Sequence, residues 1–234
     1  MDTQRAVPDG ETMQALAALL TDERRRRIEQ VLQSRLGSLV VVLEDFCDAH
    51  NVAAVLRSAE AVGVQDVHLI QRGSRQRPGH KAAAGAERWL TLHVEDRLAR
   101  CLGTLQARGF EAWGADLGAG AVPIAEVPVD RPLVVVLGSE RRGLSPVARR
   151  HLDGRFVIPM HGFTGSFNVS VAAALSLSTL AQGRRRCLGG DGDLDPARRE
   201  RLRARWTQIS VRRSALVTRQ LVARGLRDEE VSHG

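Results

Sequence analysis

Short runs of β-branched and aliphatic residues recur along this chain without polar alternation, and segments of helical length separate them. SLVVVLE (38–44) and PLVVVLG (132–138) are the plainest, and QDVHLIQ (65–71) reads as the strand between them. A strand with one wet face alternates apolar and polar residues, whereas a strand buried on both faces does not. Strands of the second kind, spaced by helices, imply an α/β architecture with a parallel sheet covered on both sides. WLTLHV (89–94), FEAWGAD (110–116) and RFVIPM (155–160) extend the series. Between them, 51–63 places Val52, Val55, Leu56, Ala59 and Val62 on one helical stripe and stops at Gly63. Further helices are expected over 95–107, over 145–152 with Ser145 as cap and Pro146 at the first position, and over 168–182. Ahead of the sheet, residues 11–36 have helical periodicity; behind it, GGDGDLDP (189–196) is a linker, and a last helix starts near Asp195–Pro196 and runs through Trp206. The expected organisation is an N-terminal helical extension (1–37), an α/β domain (38–185) and a basic C-terminal helical tail (186–234).

Charge separates these regions. Residues 1–36 are net neutral and 37–183 carry +1, whereas 184–227 hold thirteen arginines against four acids, a net +9. Only one of the 34 basic residues is a lysine, Lys81. Arginine grips phosphate oxygens through two donors at once, so the tail points to a phosphate-rich partner. Aromatic residues are 3% of the chain and tyrosine is absent, which favours backbone and shape contacts over base stacking. No apolar run approaches the roughly 20 residues that span a bilayer, and the acidic, polar start lacks the apolar core of a secretion signal. The same pattern predicts no membrane; three widely spaced cysteines, with no CxxC and no clustered histidines, predict a reduced cytoplasmic setting and no metal.

Ligands of open α/β sheets bind beyond the carboxyl ends of the strands. Three loops at such ends carry unusual polar or glycine-rich sequence: EDFCDAHN (44–51) leading to Arg57, GSERRGLS (138–145) and IPMHGFTGSFNVS (158–170). Each has an ordinary alternative. Asn51 can serve as a helix cap, Arg57 as an exposed helical arginine, GSERRG as a surface loop, and one of Ser166, Asn168 and Ser170 as the cap of the next helix. Gly138, directly after VVVL, would let a ligand approach the backbone. His50 is the one histidine placed where its titration would be useful. GADLGAG (114–120) matches no phosphate-binding spacing and is expected to be a turn, and the dinucleotide, Walker, serine-hydrolase and zinc-protease motifs are absent.

NVAAVLR (51–57), LGSERRGLS (137–145) and IPMHGFTGSFNVSVAAAL (158–175) resemble, in order and spacing, the three motifs of the SPOUT superfamily of RNA 2′-O-methyltransferases, and within it the TrmH type that modifies guanosine 18 of tRNA. The resemblance covers about 24–185 and extends to RRRRIEQVL (24–32) and DLDP…RW (193–206). Phe167 stands where leucine is frequent, Ala49 where proline is, and Arg141 where lysine is. The resemblance implies a parallel sheet flanked by helices with a C-terminal trefoil knot, S-adenosylmethionine as cofactor, and a homodimer whose active site lies at the subunit interface. It assigns Arg57, Asn51, Glu140, Ser166 and Asn168 to catalysis, and Ala115, Leu137, Gly138, Ile158, Met160 and Phe167 to the cofactor. It implies tRNA as partner, because too few residues precede the first strand for a separate RNA-binding domain. Arg24, Arg25, Arg184, Arg185, Arg186, Arg198, Arg199 and Arg203 are the RNA-binding candidates. Methylation of ribosomal RNA, and RNA binding without catalysis on the same fold, are the alternatives.

Overall fold

The computed structural model describes residues 10–46, 48–71 and 85–211. Cys47, the stretch 72–84 with Lys81, and the arginines beyond 211 lie outside the described residues. The chain divides into two compact units, residues 34–193 and residues 1–33 with 194–234. The helices are α1 (Gly10–Ala18), α2 (Asp22–Gln33), α3 (Ala49–Ala61), α4 (Leu98–Gln106), α5 (Pro146–His151), α6 (Val169–Leu188) and α7 (Pro196–Ser210). The strands are β1 (Leu36–Glu44), β2 (Val64–Ile70), β3 (Thr91–Glu95), β4 (Glu111–Ala115), β5 (Val122–Pro123), β6 (Leu133–Leu137) and β7 (Gly154–Val157).

Among the described residues, seven strands pair in parallel, in the order β3-β2-β1-β6-β4-β7-β5. The unbroken apolar runs follow from burial on both sides, since successive side chains of a strand point to opposite faces. Leu39, Val41 and Leu43 of β1 pack with Leu133, Val135 and Leu137 of β6 against α3 and α6. Val40 and Val42 join Val134 and Val136 on the other face, against α4 and α5. Each fully buried aliphatic side chain contributes about 1.5–3 kcal/mol, so this central pair of strands anchors the unit. The chain steps outward from β1 to β2 and β3, then crosses back to build the other half from β4. The switch of direction beside β1 is where a doubly wound sheet opens a crevice. Gly63 ends α3 with φ +84°, and a Cβ there would meet the Ser34 carbonyl oxygen at 2.7 Å, so the turn into β2 requires glycine.

Two helices, α1 and α2, carry the helical periodicity of 11–36. The chain breaks after Ala18, because the Thr21 hydroxyl accepts from the Arg24 amide (3.2 Å) and starts a new helix with Asp22 and Glu23 in its first turn. Residues 34–36 leave the helix, and Leu36 already belongs to β1. Leu16, Ile28 and Leu32 are buried, as are Leu202 and Trp206 of α7. Arg203 donates to both carboxylate oxygens of Glu29, at 2.5 and 2.8 Å. The N- and C-terminal helices form one compact unit. β5 was not expected; two residues are too short to carry a periodic signal.

Candidate active site

At the carboxyl end of β1, Glu44 is almost fully buried and its carboxylate accepts the Ser145 amide at 3.0 Å. This bond ties the end of β1 to the far end of the loop that leaves its neighbour β6. That loop closes on itself. Ser139 and Gly143 exchange backbone hydrogen bonds of 3.1 and 2.9 Å, and Glu140 sits in the exposed turn between them. Gly138 makes the closure possible. A Cβ there would lie 2.1 Å from the Gly143 carbonyl carbon and 2.3 Å from the Leu144 nitrogen. The position of a Cβ is therefore filled by the loop's own returning backbone.

Asp48, not Asn51, caps α3, accepting from the His50 amide at 2.8 Å. Asn51 falls in the first turn with its side chain released for other partners. Its Nδ2 donates to Glu140 Oε1 (3.1 Å), and its Oδ1 accepts from Asn168 Nδ2 (3.4 Å). Asn168 is the cap of α6; its Oδ1 accepts the Ser170 amide (2.8 Å) and hydroxyl (2.6 Å). A continuous chain Glu140–Asn51–Asn168–Ser170 thus links all three loops. Ser166 is exposed and makes no hydrogen bond among the described residues. Arg57 is exposed on α3 and, among the described residues, makes no hydrogen bond or ion pair. Six residues beyond Asn51, it lies about 9 Å further along the helix and roughly a third of a turn round it.

Leu137, Ala115 and Ile158 end three adjacent strands. The registers Gly114↔Val136 and Ala115↔Phe156 place β4 between β6 and β7. Met160 is half-buried and Phe167 is 39% exposed. From Pro159 to Phe167, no backbone group bonds to another backbone group among the described residues. Apolar walls flanked by backbone donors and acceptors are the make-up of a small-molecule site. One group was not foreseen. Asp116, just past β4 and 8% exposed at its side chain, accepts from Arg149 (3.1 Å) and Arg155 (3.2 Å), and Arg155 also donates to the Ala119 carbonyl (2.7 Å). Gly114 and Ala115 belong to β4, and this clamp holds the turn that follows them. Its only trace in the sequence is an aspartate directly after a strand.

The arginines named for RNA divide by environment. Arg184 is 7% exposed; its guanidinium donates to Ser38 Oγ (2.8 Å) and to the carbonyls of Val129 (3.1 Å) and Asp130 (2.8 Å). Arg185 bridges the carbonyls of Ser34 and Val62, both at 2.9 Å, and that of Asp191. Arg199 and Arg203 are half-buried, and Arg24 donates to Ser210 Oγ through two nitrogens at 3.1 Å. Arg198 is half-buried beside the cap of α7. Arg25 is exposed and pairs with Asp22, and Arg186 is exposed.

Comparison with known proteins agrees with this geometry. The model of the SpoU rRNA methylase family matches residues 38–178. The tRNA (guanosine(18)-2′-O)-methyltransferase of Thermus thermophilus is 36% identical over 189 residues, spanning 80% of this chain and 96% of its own. The Escherichia coli enzyme of the same name is 36% identical over 154 residues, 66% of this chain and 67% of its own. The crystal structure of the Aquifex aeolicus TrmH/SpoU tRNA modifying enzyme superposes with a TM-score of 0.73 at 28% identity, covering 84% of this chain and all of that one. The all-parallel sheet and its three motif loops define an α/β methyltransferase of the SpoU/TrmH fold. The chain belongs to the SpoU methylase family.

Proposed function

We propose that this protein transfers a methyl group from S-adenosylmethionine to the 2′-hydroxyl of a ribose in tRNA, at guanosine 18 of the D-loop. The observation that carries this reading is the hydrogen-bonded chain Glu140–Asn51–Asn168, which gathers three separate motifs beside the ends of β6, β4 and β7. The names of the relatives supply the substrate. When bound, the cofactor supplies a methyl on a sulfonium centre, electrophilic toward an oxygen held in line. Leu137, Ile158, Met160 and Phe167 would enclose its adenosine, with Ala115 on the intervening strand and the backbone of 159–167 binding its polar edges. The Gly138 loop keeps Glu140 against Asn51, and the Asp116 clamp keeps the turn after Ala115 in place.

A ribose hydroxyl is a weak nucleophile and must be both positioned and relieved of its proton. A guanidinium is a poor base but a strong phosphate ligand. In this reading Arg57 grips the phosphate beside the target ribose and stabilises the oxyanion, while water or phosphate takes the proton. Arg57 reaches the reaction through a homodimer. α3 and α6 pack on the same face of the sheet, and their outward sides carry Arg57 and Ala54 on one helix and Val171 and Leu175, 44% and 41% exposed, on the other. A second copy seated on that apolar stripe would bring its own Arg57 toward the first copy's Asn51. The tail arginines that remain exposed, together with Arg25, supply the phosphate grip for tRNA. Among the described residues no helix is long and apolar enough to cross a membrane, and a cytoplasmic location goes with a tRNA substrate.

The deciding experiment incubates the protein and S-adenosylmethionine separately with tRNA and with ribosomal RNA, and measures ribose-methylated nucleosides by mass spectrometry. 2′-O-methylguanosine should appear in tRNA alone. Methylation confined to ribosomal RNA would replace the substrate, and methylation of neither would remove the activity. Arg57→Ala should nearly abolish turnover while calorimetry shows cofactor binding retained.

A further inference from the structure

On the face of the sheet opposite α3 and α6, α4 covers an almost wholly apolar layer that includes Val40, Val42, Ile70, Leu102 and Leu105. One patch of this layer is polar. Asp66 and His68 of β2 and His93 and Glu95 of β3 share this face, because the registers pair His68 with His93 and Ile70 with Glu95. The two imidazoles stack, centroids 4.3 Å apart. Asp66 Oδ1 lies 3.0 Å from His93 Nε2, and Glu95 Oε1 lies 2.6 Å from His68 Nδ1. Cys101 of α4 completes the patch, with its Sγ 3.4 Å from the same His68 nitrogen. His68 and Cys101 are 8% and 2% exposed. Burying polar groups beneath a helix is costly unless something binds them together.

We propose that His68 Nδ1, Glu95 and Cys101 Sγ form a binding site for a zinc-class divalent cation, separate from the methyl-transfer centre. The three donor atoms lie within 4.8 Å of one another and come from three different elements. A tetrahedral ion bonded at about 2.0–2.1 Å to nitrogen and oxygen and about 2.3 Å to sulfur holds its donors roughly 3.4–3.6 Å apart. The sulfur–nitrogen pair already has that spacing. Glu95 needs to swing its oxygen outward by under about 1 Å to reach the same spacing, and its side chain, 22% exposed, has room to do so. Sulfur, imidazole and carboxylate together are a borderline-soft set that suits zinc, and three protein ligands leave one position for water on the exposed Glu95 side. The charges fit as well. A thiolate and a carboxylate converge on one imidazole, and a dication neutralises both. Binding the cation releases the Cys101 thiol proton to solvent. His93, braced by Asp66, stacks against His68 and fixes its ring.

The test is cobalt and zinc binding to the full chain after chelation. Cobalt should produce a thiolate charge-transfer band in the near ultraviolet with tetrahedral visible bands, and zinc should bind at one equivalent by elemental analysis. A zinc concentration a hundredfold above Kd should raise Tm by roughly 5–10 °C. Cys101→Ala should lose the band, whereas a variant carrying Cys47→Ser and Cys187→Ser should keep it. Because Cys101 is buried, Glu95→Gln is the second variant; it should keep the far-ultraviolet spectrum and weaken cobalt binding at least tenfold. A wild-type protein that gives no charge-transfer band, or a band that survives Cys101→Ala, would overturn the site and leave only a hydrogen-bonded cluster. Either result is independent of whether the protein methylates tRNA.

Discussion

Replacing Gly138 by alanine tests how the active-site loop is built. The new methyl would lie 2.1 Å from the Gly143 carbonyl carbon and 2.3 Å from both its oxygen and the Leu144 nitrogen. All three are backbone atoms, so no side chain can swing aside. Restoring ordinary contact, 3.4 Å or more, requires the returning limb of the loop to retreat by over about 1 Å, and overpacking of this kind costs about 1–3 kcal/mol. The two hydrogen bonds between Ser139 and Gly143 are lost in that movement, at about 1 kcal/mol each. Some of the strain is relieved because the loop is exposed, so the net cost should be about 2–4 kcal/mol. For a unit of this size that lowers Tm by roughly 5–15 °C. The catalytic effect should be larger in proportion. Glu140 rides on the same turn, and a misplacement of about 1 Å can cost roughly a hundredfold in rate. Thermal melting and single-turnover methylation of tRNA measure the two effects. Gly103→Ala is the control: it lies inside α4 with nothing within 4 Å of its Cβ position, and should stabilise by up to about 1 kcal/mol. Gly138→Ala with wild-type Tm and wild-type turnover would refute the account of the loop.

Three further outcomes are expected. Leu175→Asp puts a charge on the exposed stripe of α6 and should convert a dimer to monomers in light scattering, with loss of turnover; a dimer that persists would place the interface elsewhere. Arg184→Ala strands the carbonyls of Val129 and Asp130 and the Ser38 hydroxyl, and should cost about 2–4 kcal/mol in chemical denaturation. Replacing the exposed Arg186 and Arg201 by alanine should leave stability nearly unchanged and flatten the salt dependence of tRNA binding by up to about two units of log–log slope, roughly one per phosphate contact; an unaltered slope would assign these arginines another purpose.

The parallel sheet was legible because burial on both faces writes itself into local sequence. VVVL at 134–137 and LVVVL at 39–43 have no polar positions because neither face meets water. The start of α5 at Ser145–Pro146 and that of α7 at Asp195–Pro196 were readable for a similar reason, since capping is settled within four residues. The motif loops could be placed at strand ends, and the family resemblance attached chemistry to them. Whether Asn51 caps a helix or serves the site could not be read locally, because the answer depends on Asp48 taking the cap and on Glu140, 89 residues away, presenting an acceptor.

Tertiary packing alone decided the rest. Identical arginines in the run 184–186 have different fates: the first is buried against Ser38 and two carbonyls, the second bridges Ser34 and Val62, and the third faces solvent. That Gly138 must be glycine because the Gly143 backbone fills its Cβ position is visible only in the folded loop. His68, Glu95 and Cys101 have no metal-site spacing along the chain, and only the pairing of β2 with β3 beneath α4 brings them to one point. The division has a physical cause. Periodicity and caps report interactions over one or two turns, so they survive in the linear sequence. The partners of a charged or polar side chain come from whichever strands and helices the crossovers bring alongside it, and the chain acquires that order only by folding.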